Sequence, residues 1–240
     1  VNLTPNELEI EESAIKFAKA NRSAISSRLT DTTIFQPEAS AVSVFMAGSP
    51  GAGKTEASKA LIEEVTKGGN DILRIDPDDL RAEFSAYNGN NSYLFHRAVS
   101  ILVERIHDRA LKQNQSFVLD GTLSKYEKAE DNIDRSLKRN RTVLILYVYQ
   151  NPFLAWQFVK ARERVEGRRI EAVHFIEQYF GARDTVNRLK QHFDKSIEVD
   201  LLLKDTDNTI RSYKANIDRI DNHIPEKYDR LALEKQFSKS

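Results

Sequence analysis

The stretch Ala41-Val42-Ser43-Val44-Phe45-Met46-Ala47-Gly48-Ser49-Pro50-Gly51-Ala52-Gly53-Lys54-Thr55 decides the fold. Gly48 to Thr55 satisfies G-x-x-x-x-G-K-[ST] at every fixed position. The residues before it form an apolar run as long as a buried strand. After it, Glu56 to Val65 carries helical spacing, with Ala57, Ala60, Leu61 and Val65 on one side. Phosphate binding needs this order of strand, glycine-rich loop and helix. Loop N–H groups and the positive helix N-terminus then converge on phosphate oxygens. Lys54 adds a point charge at the β/γ-phosphates, and the Thr55 hydroxyl is placed to ligate Mg²⁺. The expected ligand is a nucleoside triphosphate, ATP or GTP, with Mg²⁺. Gly48, Ser49, Pro50, Gly51, Ala52, Gly53, Lys54 and Thr55 cradle it.

Outward from the loop, strand and helix alternate. Strands are expected at 42–47, 71–76, 116–121, 142–149 and 198–204, with helices near 54–67, 78–86, 91–113, 125–139, 152–165 and 171–193. The run Val143 to Tyr149 is almost continuously apolar, as in a strand buried on both faces. Such alternation implies an α/β fold: a P-loop kinase-type parallel sheet of about five strands with helices on both faces. Upstream, Thr4-Pro5-Asn6-Glu7 reads as a capping box with Pro at the first helical position. Ile10, Ala14, Phe17, Ala18, Ile25 and Leu29 then make an apolar stripe, which predicts an amphipathic helix over 5–29. The expected division is an N-terminal helical segment and connector at 1–40 and a P-loop kinase domain at 41–240. The domain's polar tail, from Asn208, is expected to be helical with a break at Pro225.

Composition narrows the function. Lys+Arg and Asp+Glu are equal at 36 each in a chain of 240 residues. That balance argues against a bulk nucleic-acid binder. The absence of cysteine excludes disulfides, thiol catalysis and Cys-ligated zinc. The longest apolar runs are strand-sized, so no membrane span is expected. The N-terminus is acidic and amphipathic, unlike a signal peptide. A cytoplasmic location is the corresponding expectation.

In a parallel α/β sheet, ligands bind at the carboxyl ends of the strands. The second predicted strand ends in Ile75-Asp76-Pro77-Asp78-Asp79 and the third in Leu119-Asp120-Gly121-Thr122. Asp78 or Asp79 is either a helix N-cap or a group that acts on substrate. Asp120 suits a carboxylate holding Mg²⁺ through water. Glu104 borders the apolar stripe of its helix, where carboxylates usually face solvent. Arg162, Arg164, Arg168 and Arg169 cluster where a lid would hang over the phosphates, with Glu163 and Glu166 as ordinary surface partners. The five histidines show no metal-ligand spacing. Trp156, Phe153 and Phe158 read as packing residues.

The runs Phe45 to Glu56, Ile75-Asp76-Pro77-Asp78 and Asp120-Gly121-Thr122 resemble the zeta-toxin family of kinases, over about Val42 to Asp205. The resemblance implies transfer of phosphate from ATP·Mg²⁺ to the 3′-hydroxyl of the amino sugar in UDP-N-acetylglucosamine, which blocks cell-wall synthesis. It also implies an antitoxin partner in many members. Matched position by position, Lys54 is the phosphate-binding lysine and Thr55 the Mg²⁺ ligand. Asp78 matches the carboxylate that accepts or orients the attacking sugar hydroxyl in that family. Glu104, Asp120 and Thr122 fall at substrate-binding positions. Arg162 and Arg168 resemble the two arginines that reach the ATP phosphates, with Arg164 or Arg169 as alternative equivalents. One position departs: the family's E-G-T-x-R arginine is replaced by Ser124, followed by Lys125. That substitution bears on the acceptor, not on kinase chemistry.

Three functional readings follow. The first is the sugar-nucleotide kinase, and the second a P-loop kinase for another acceptor, including other sugar nucleotides, nucleosides and polynucleotides. Neutral charge and the lack of an aromatic platform count against nucleic acid. The third is a regulatory NTPase or nucleotide-gated binding module, which would not need Asp78, Glu104 and lid arginines together. In the family's toxin–antitoxin complexes an antitoxin helix blocks the ATP site. Residues 5–29 either act the same way in cis or pack on the core; packing is the favoured expectation.

Overall fold

The computed structural model describes residues 3–167, 169–205, 207, 209–224 and 227–237. Arg168, placed above among the phosphate-binding arginines, lies outside these residues, as do Asn208 and Pro225.

Six strands form one sheet in the order β2-β3-β1-β4-β5-β6. β1 (Val42–Ala47) lies between β3 (Phe117–Leu119) and β4 (Thr142–Tyr149). β2 (Leu73–Ile75) flanks β3, and β5 (Glu198–Lys204) flanks β4, all parallel. The sixth strand, β6 (Ile210–Lys214), runs antiparallel to β5. It corrects the expectation of a helical tail from Asn208: helix returns only at α7 (Arg230–Phe237). Ile210 and Tyr213 are more than half exposed on this edge strand. An edge strand is held by backbone bonds, so it leaves little hydrophobic pattern to read.

Alternation along the strands gives the sheet two different faces. One carries Phe45, Phe117, Ile145, Tyr147, Val199 and Leu201 into the main core. There it meets α1 (Pro5–Leu29), α3 (His96–Lys112), α4 (Tyr126–Leu137), α5 (Pro152–Glu166), α6 (Ala172–Phe193) and α7. The other carries Val44, Met46, Val118, Leu146, Val148 and Leu202 against Ala57 and Leu61 of α2 (Lys54–Thr66). Helices therefore flank both faces, but unequally.

Helix α1 begins at the capping box: the Glu7 N–H donates to Thr4 Oγ1 at 3.3 Å, and the Thr4 N–H donates to Glu7 Oε2 at 2.7 Å. Ala14, Ala18 and Ile25 are buried in the main core, and the helix packs on α3. Phe17 lies edge-on to Phe84 at 5.5 Å. Arg28 pairs with Glu83 at 2.6 Å, and the Arg109 Nε–H donates to Thr30 Oγ1 at 3.1 Å.

Two predicted helices come out shorter. The 78–86 segment is a 3₁₀ turn, Asp79–Glu83, and the 91–113 segment is a 3₁₀ turn, Ser92–Phe95, running into α3. β2 and β3 are likewise shorter than 71–76 and 116–121, ending one residue before Asp76 and Asp120. At those points the chain leaves the ladder to form loops. Among the described residues no helix is long and apolar enough to cross a membrane.

Candidate active site

The site lies at the carboxyl edge of β1, β2 and β3. Gly48 leaves β1 with φ 132°, and a Cβ there would strike the Val148 carbonyl oxygen. Gly51 has φ 71°, and its Cβ would strike the Ala155 carbonyl oxygen of α5. Only glycine fits both the backbone angles and these close approaches. Gly53 (φ 85°) turns the loop into α2, whose first two residues are Lys54 and Thr55. Ser49, Pro50 and Ala52 are buried beneath the turn. The Gly48 N–H donates to the Thr122 carbonyl at 3.2 Å, which ties the loop to the segment after β3.

The Lys54 Nζ donates to the Ser49 carbonyl at 2.7 Å. Burial lowers its pKa to about 8, against the opposing pull of Asp120, Asp78 and Asp76. A half-buried ammonium at a helix N-terminus, under a glycine loop, is a donor set that fits a triphosphate. No group of three or more His, Asp or Glu among the described residues is arranged to hold a metal ion by itself.

Asp78 precedes the 3₁₀ turn, and its side chain does not cap it. The carboxylate is instead held by Arg81 and by Arg162 of α5, whose Nη2 reaches Asp78 Oδ2 at 3.2 Å. The Arg162 Nε–H also donates to Glu166 at 3.2 Å. Burial opposes the Arg162 charge, but Asp78 and Glu166 outweigh it and hold the guanidinium above its ordinary pKa. The C-terminal end of α5 is further seated on the loop before the second 3₁₀ turn. A Cβ on Gly89 would strike the Glu166 carbonyl, and one on Gly167 would strike the Asn90 side chain.

Three residues absent from the sequence reading complete the site: Ser58, Arg74 and Arg81. Arg74 lies in the middle of β2, between Leu73 and Ile75, and contacts Ser58, Asp76, Asp79 and Asp120. Burial works against its charge, yet those carboxylates raise its pKa overall. Asp76 is itself pushed up to about 6 by burial, with Asp120 and Asp78 adding and Arg74 opposing. The sequence signal was a lone cation in a short apolar strand that opens on three aspartates.

The remaining predicted residues fall as follows. Asp120, buried at the end of β3, accepts from Ser58 Oγ at 2.9 Å and from Arg74 Nη2 at 2.7 Å. Thr122 Oγ1 is 3.1 Å from Ser124 Oγ. Glu104 is brought to the exposed side of α3, 3.8 Å from Lys128 of α4, and not into the Asp78 cluster. Arg164 lines a separate cavity of about 460 Å³ with Phe153, Trp156, Lys160 and Phe237. Trp156 stacks on Phe237 at 5.4 Å, a packing role as expected.

The sheet order and the loop over Lys54 define a P-loop nucleotide-binding protein of the kinase type. The family model described as zeta toxin matches residues 26–218. The chain therefore belongs to the zeta toxin family. Among solved structures it is similar to one from the PezAT chromosomal toxin–antitoxin system of Streptococcus pneumoniae. The identity is 14%, the TM-score 0.67, and 99% of this chain and 96% of that one are covered. It is also similar to a chain of the AvrRxo1-ORF1:-ORF2 complex with ATP, at 15% identity and TM-score 0.57, covering 99% of this chain and 74% of that one. The same complex with sulphate ions gives TM-score 0.60 at 15% identity, covering 92% and 72%. These likenesses concern the fold. No curated protein matches the sequence.

Proposed function

We propose that this protein is a phosphotransferase that moves the ATP γ-phosphoryl group to the 3′-hydroxyl of UDP-N-acetylglucosamine. The observation that carries the reading is the Asp78 carboxylate. It makes no side-chain cap bond to the 3₁₀ turn, lies close enough to Lys54 to act on its charge, and is faced by an arginine from α5. The acceptor hydroxyl oxygen attacks the γ-phosphorus, the bond from phosphorus to the β,γ-bridging oxygen breaks, and ADP leaves. Asp78 orients the hydroxyl and takes its proton. Lys54 and Arg162 stabilise charge on the transferring group, with Arg168 as a second candidate by family position. Catalysis of this kind rests on alignment and charge stabilisation. The Thr55 hydroxyl would help hold a Mg²⁺ bound with the nucleotide, which would supply charge neutralisation at the phosphates. ATP is the proposed donor, with GTP the competing nucleotide.

Thr122 lies against the P-loop through its carbonyl, which supports a place for it at the acceptor. Asp120 is proposed to line the same space from beneath, and Glu104 to reach substrate only at its outer rim. Ser124, in hydrogen-bond reach of Thr122, favours a second reading with a different sugar nucleotide as acceptor. An antitoxin partner and a cytoplasmic toxin role accompany the family assignment as proposals. Residues 1–40 are proposed to be a helical segment that packs on the kinase domain at 41–240. The apolar contacts of α1 with α3 and Phe84 support packing over inhibition in cis.

The test is transfer from ATP·Mg²⁺ to UDP-N-acetylglucosamine, read by mass spectrometry, with Asp78→Ala alongside. A product heavier by one phosphoryl group, missing in the variant, is expected. Transfer that survives Asp78→Ala refutes the role of Asp78; no transfer in the wild type refutes the acceptor.

A further inference from the structure

A guanidinium has five N–H donors in a fixed plane. Arg74 directs four bonds from that plane into three separate segments. Its Nε–H donates to Ser58 Oγ on α2 at 3.2 Å. Its Nη1 donates to Asp79 Oδ2 at 2.7 Å, and its Nη2 donates to Asp76 Oδ2 and, at 2.7 Å, to Asp120 Oδ2. The Arg74 side chain is 14% exposed, while Asp76 and Asp120 are 8% and 4% exposed. Two buried carboxylates thus sit at the ends of neighbouring strands, where the Asp120 N–H bonds the Ile75 carbonyl at 2.9 Å. A cation between them offsets the repulsion of two carboxylates brought this close.

The second oxygen of Asp76 has its own task. Asp76 Oδ1 accepts the backbone N–H of Asp78 at 2.7 Å. A chain of two bonds therefore runs from Arg74 through Asp76 to the Asp78 main chain. A third bond runs from Arg74 to Ser58, one turn beyond Lys54. Ser58 has a single hydroxyl proton, which is within reach of both Asp120 Oδ2 (2.9 Å) and the Thr55 carbonyl (3.0 Å).

We propose that Arg74 is the positioning residue of this site, fixing the Asp78 turn relative to the phosphate-binding helix α2 through Asp76, Asp120 and Ser58. The inference rests on the reading of Asp78 as the group that orients the acceptor hydroxyl. Arg74 touches neither reactant; it sets the distance between the two halves of the site. Lysine cannot replace it, because an ammonium offers three donors from one point and not a fork.

The test compares wild type, Arg74→Lys and Asp76→Asn in full-length protein. Kinetics with ATP·Mg²⁺ and UDP-N-acetylglucosamine are read together with the Asp78 amide proton in two-dimensional NMR. A displacement of about 1 Å costs on the order of 100-fold in rate. Arg74→Lys should therefore lower kcat roughly 10- to 100-fold, with KM for ATP within about threefold. In an Asp78→Asn background the same change should cost little more. Asp76→Asn keeps the oxygen that receives the Asp78 N–H but loses its charge toward Arg74, and should lower kcat by less than Arg74→Lys. The Asp78 amide resonance, downfield through its short bond to a carboxylate, should move upfield in Arg74→Lys. A folded Arg74→Lys with wild-type kcat overturns the proposal, as does a rise in KM for ATP at unchanged kcat. If the wild type does not phosphorylate UDP-N-acetylglucosamine, the acceptor assignment fails separately. The amide then decides for Arg74: a shifted resonance supports positioning, and an unmoved one overturns it.

Discussion

Replacing Asp78 with asparagine should tighten ATP binding even as it abolishes transfer. Arg162 is held by Asp78 across 3.2 Å, and the two side chains are 43% and 32% exposed. The expectation is that the guanidinium swings from that carboxylate to a phosphate when the nucleotide binds. An ion pair this open to water is worth about 0.5–1 kcal/mol. Releasing it should strengthen nucleotide affinity by about two- to fivefold, at 1.4 kcal/mol per decade. Removing a negative charge near the phosphates also helps binding in a general way, so Arg162→Ala is needed as a second background. The assay is calorimetric titration of a non-hydrolysable ATP analogue with Mg²⁺ into wild type, both single variants and the double variant at one ionic strength. The gain from Asp78→Asn should be present with Arg162 and smaller by about that factor without it. It should also shrink as salt rises, because the pair is exposed. Equal gains in both backgrounds would mean that Arg162 does not exchange between carboxylate and phosphate.

Three further outcomes are expected. Gly51→Ala places a methyl group against the Ala155 carbonyl at a φ of 71°, so it should lose about 1–3 kcal/mol of stability and most nucleotide binding, read by thermal denaturation with and without ATP. Burial chiefly, then Arg135 and Arg141, lowers the His107 pKa from 6.5 to about 3, so the unfolded chain binds the extra proton first. The stability this neutral histidine contributes is complete above about pH 6.5 and is lost as pH falls toward 3. By pH 5 the loss is about 2 kcal/mol, which His107→Phe should remove, seen as a smaller drop in urea midpoint from pH 7 to pH 5. Ala18 is fully buried in the core that α1 shares with α3, so Ala18→Leu should cost about 1–3 kcal/mol by overpacking, measured by chemical denaturation.

Much of this molecule was legible because its signals are local. The P-loop is a continuous run recognisable from its fixed spacing alone, although the carbonyls that Gly48 and Gly51 approach belong to Val148 and Ala155, far along the chain. β4 and α6 announced themselves by uninterrupted or periodic apolar residues. The N-terminal capping box was readable because both its hydrogen bonds span three residues. β6 was not readable, since an exposed edge strand depends on β5 for its bonds and carries little pattern of its own. Nor was the 3₁₀ turn after Asp78: the expected helix ends at Glu83, and Phe84 turns extended to pack against Phe95 and Phe17.

The sequence by itself determined that a phosphate-binding loop stands at the end of a central strand, with aspartates at the ends of two others. Motif spacing and hydrophobic period suffice for that, because each concerns neighbours along the chain. Only the tertiary structure decided which charges meet. It sent Glu104 out to Lys128, brought Arg162 down onto Asp78, and placed Arg74 among Asp76, Asp79, Asp120 and Ser58. Ion pairs between distant segments follow from strand order and from where burial leaves a charge without water, and neither is written in any short run of residues.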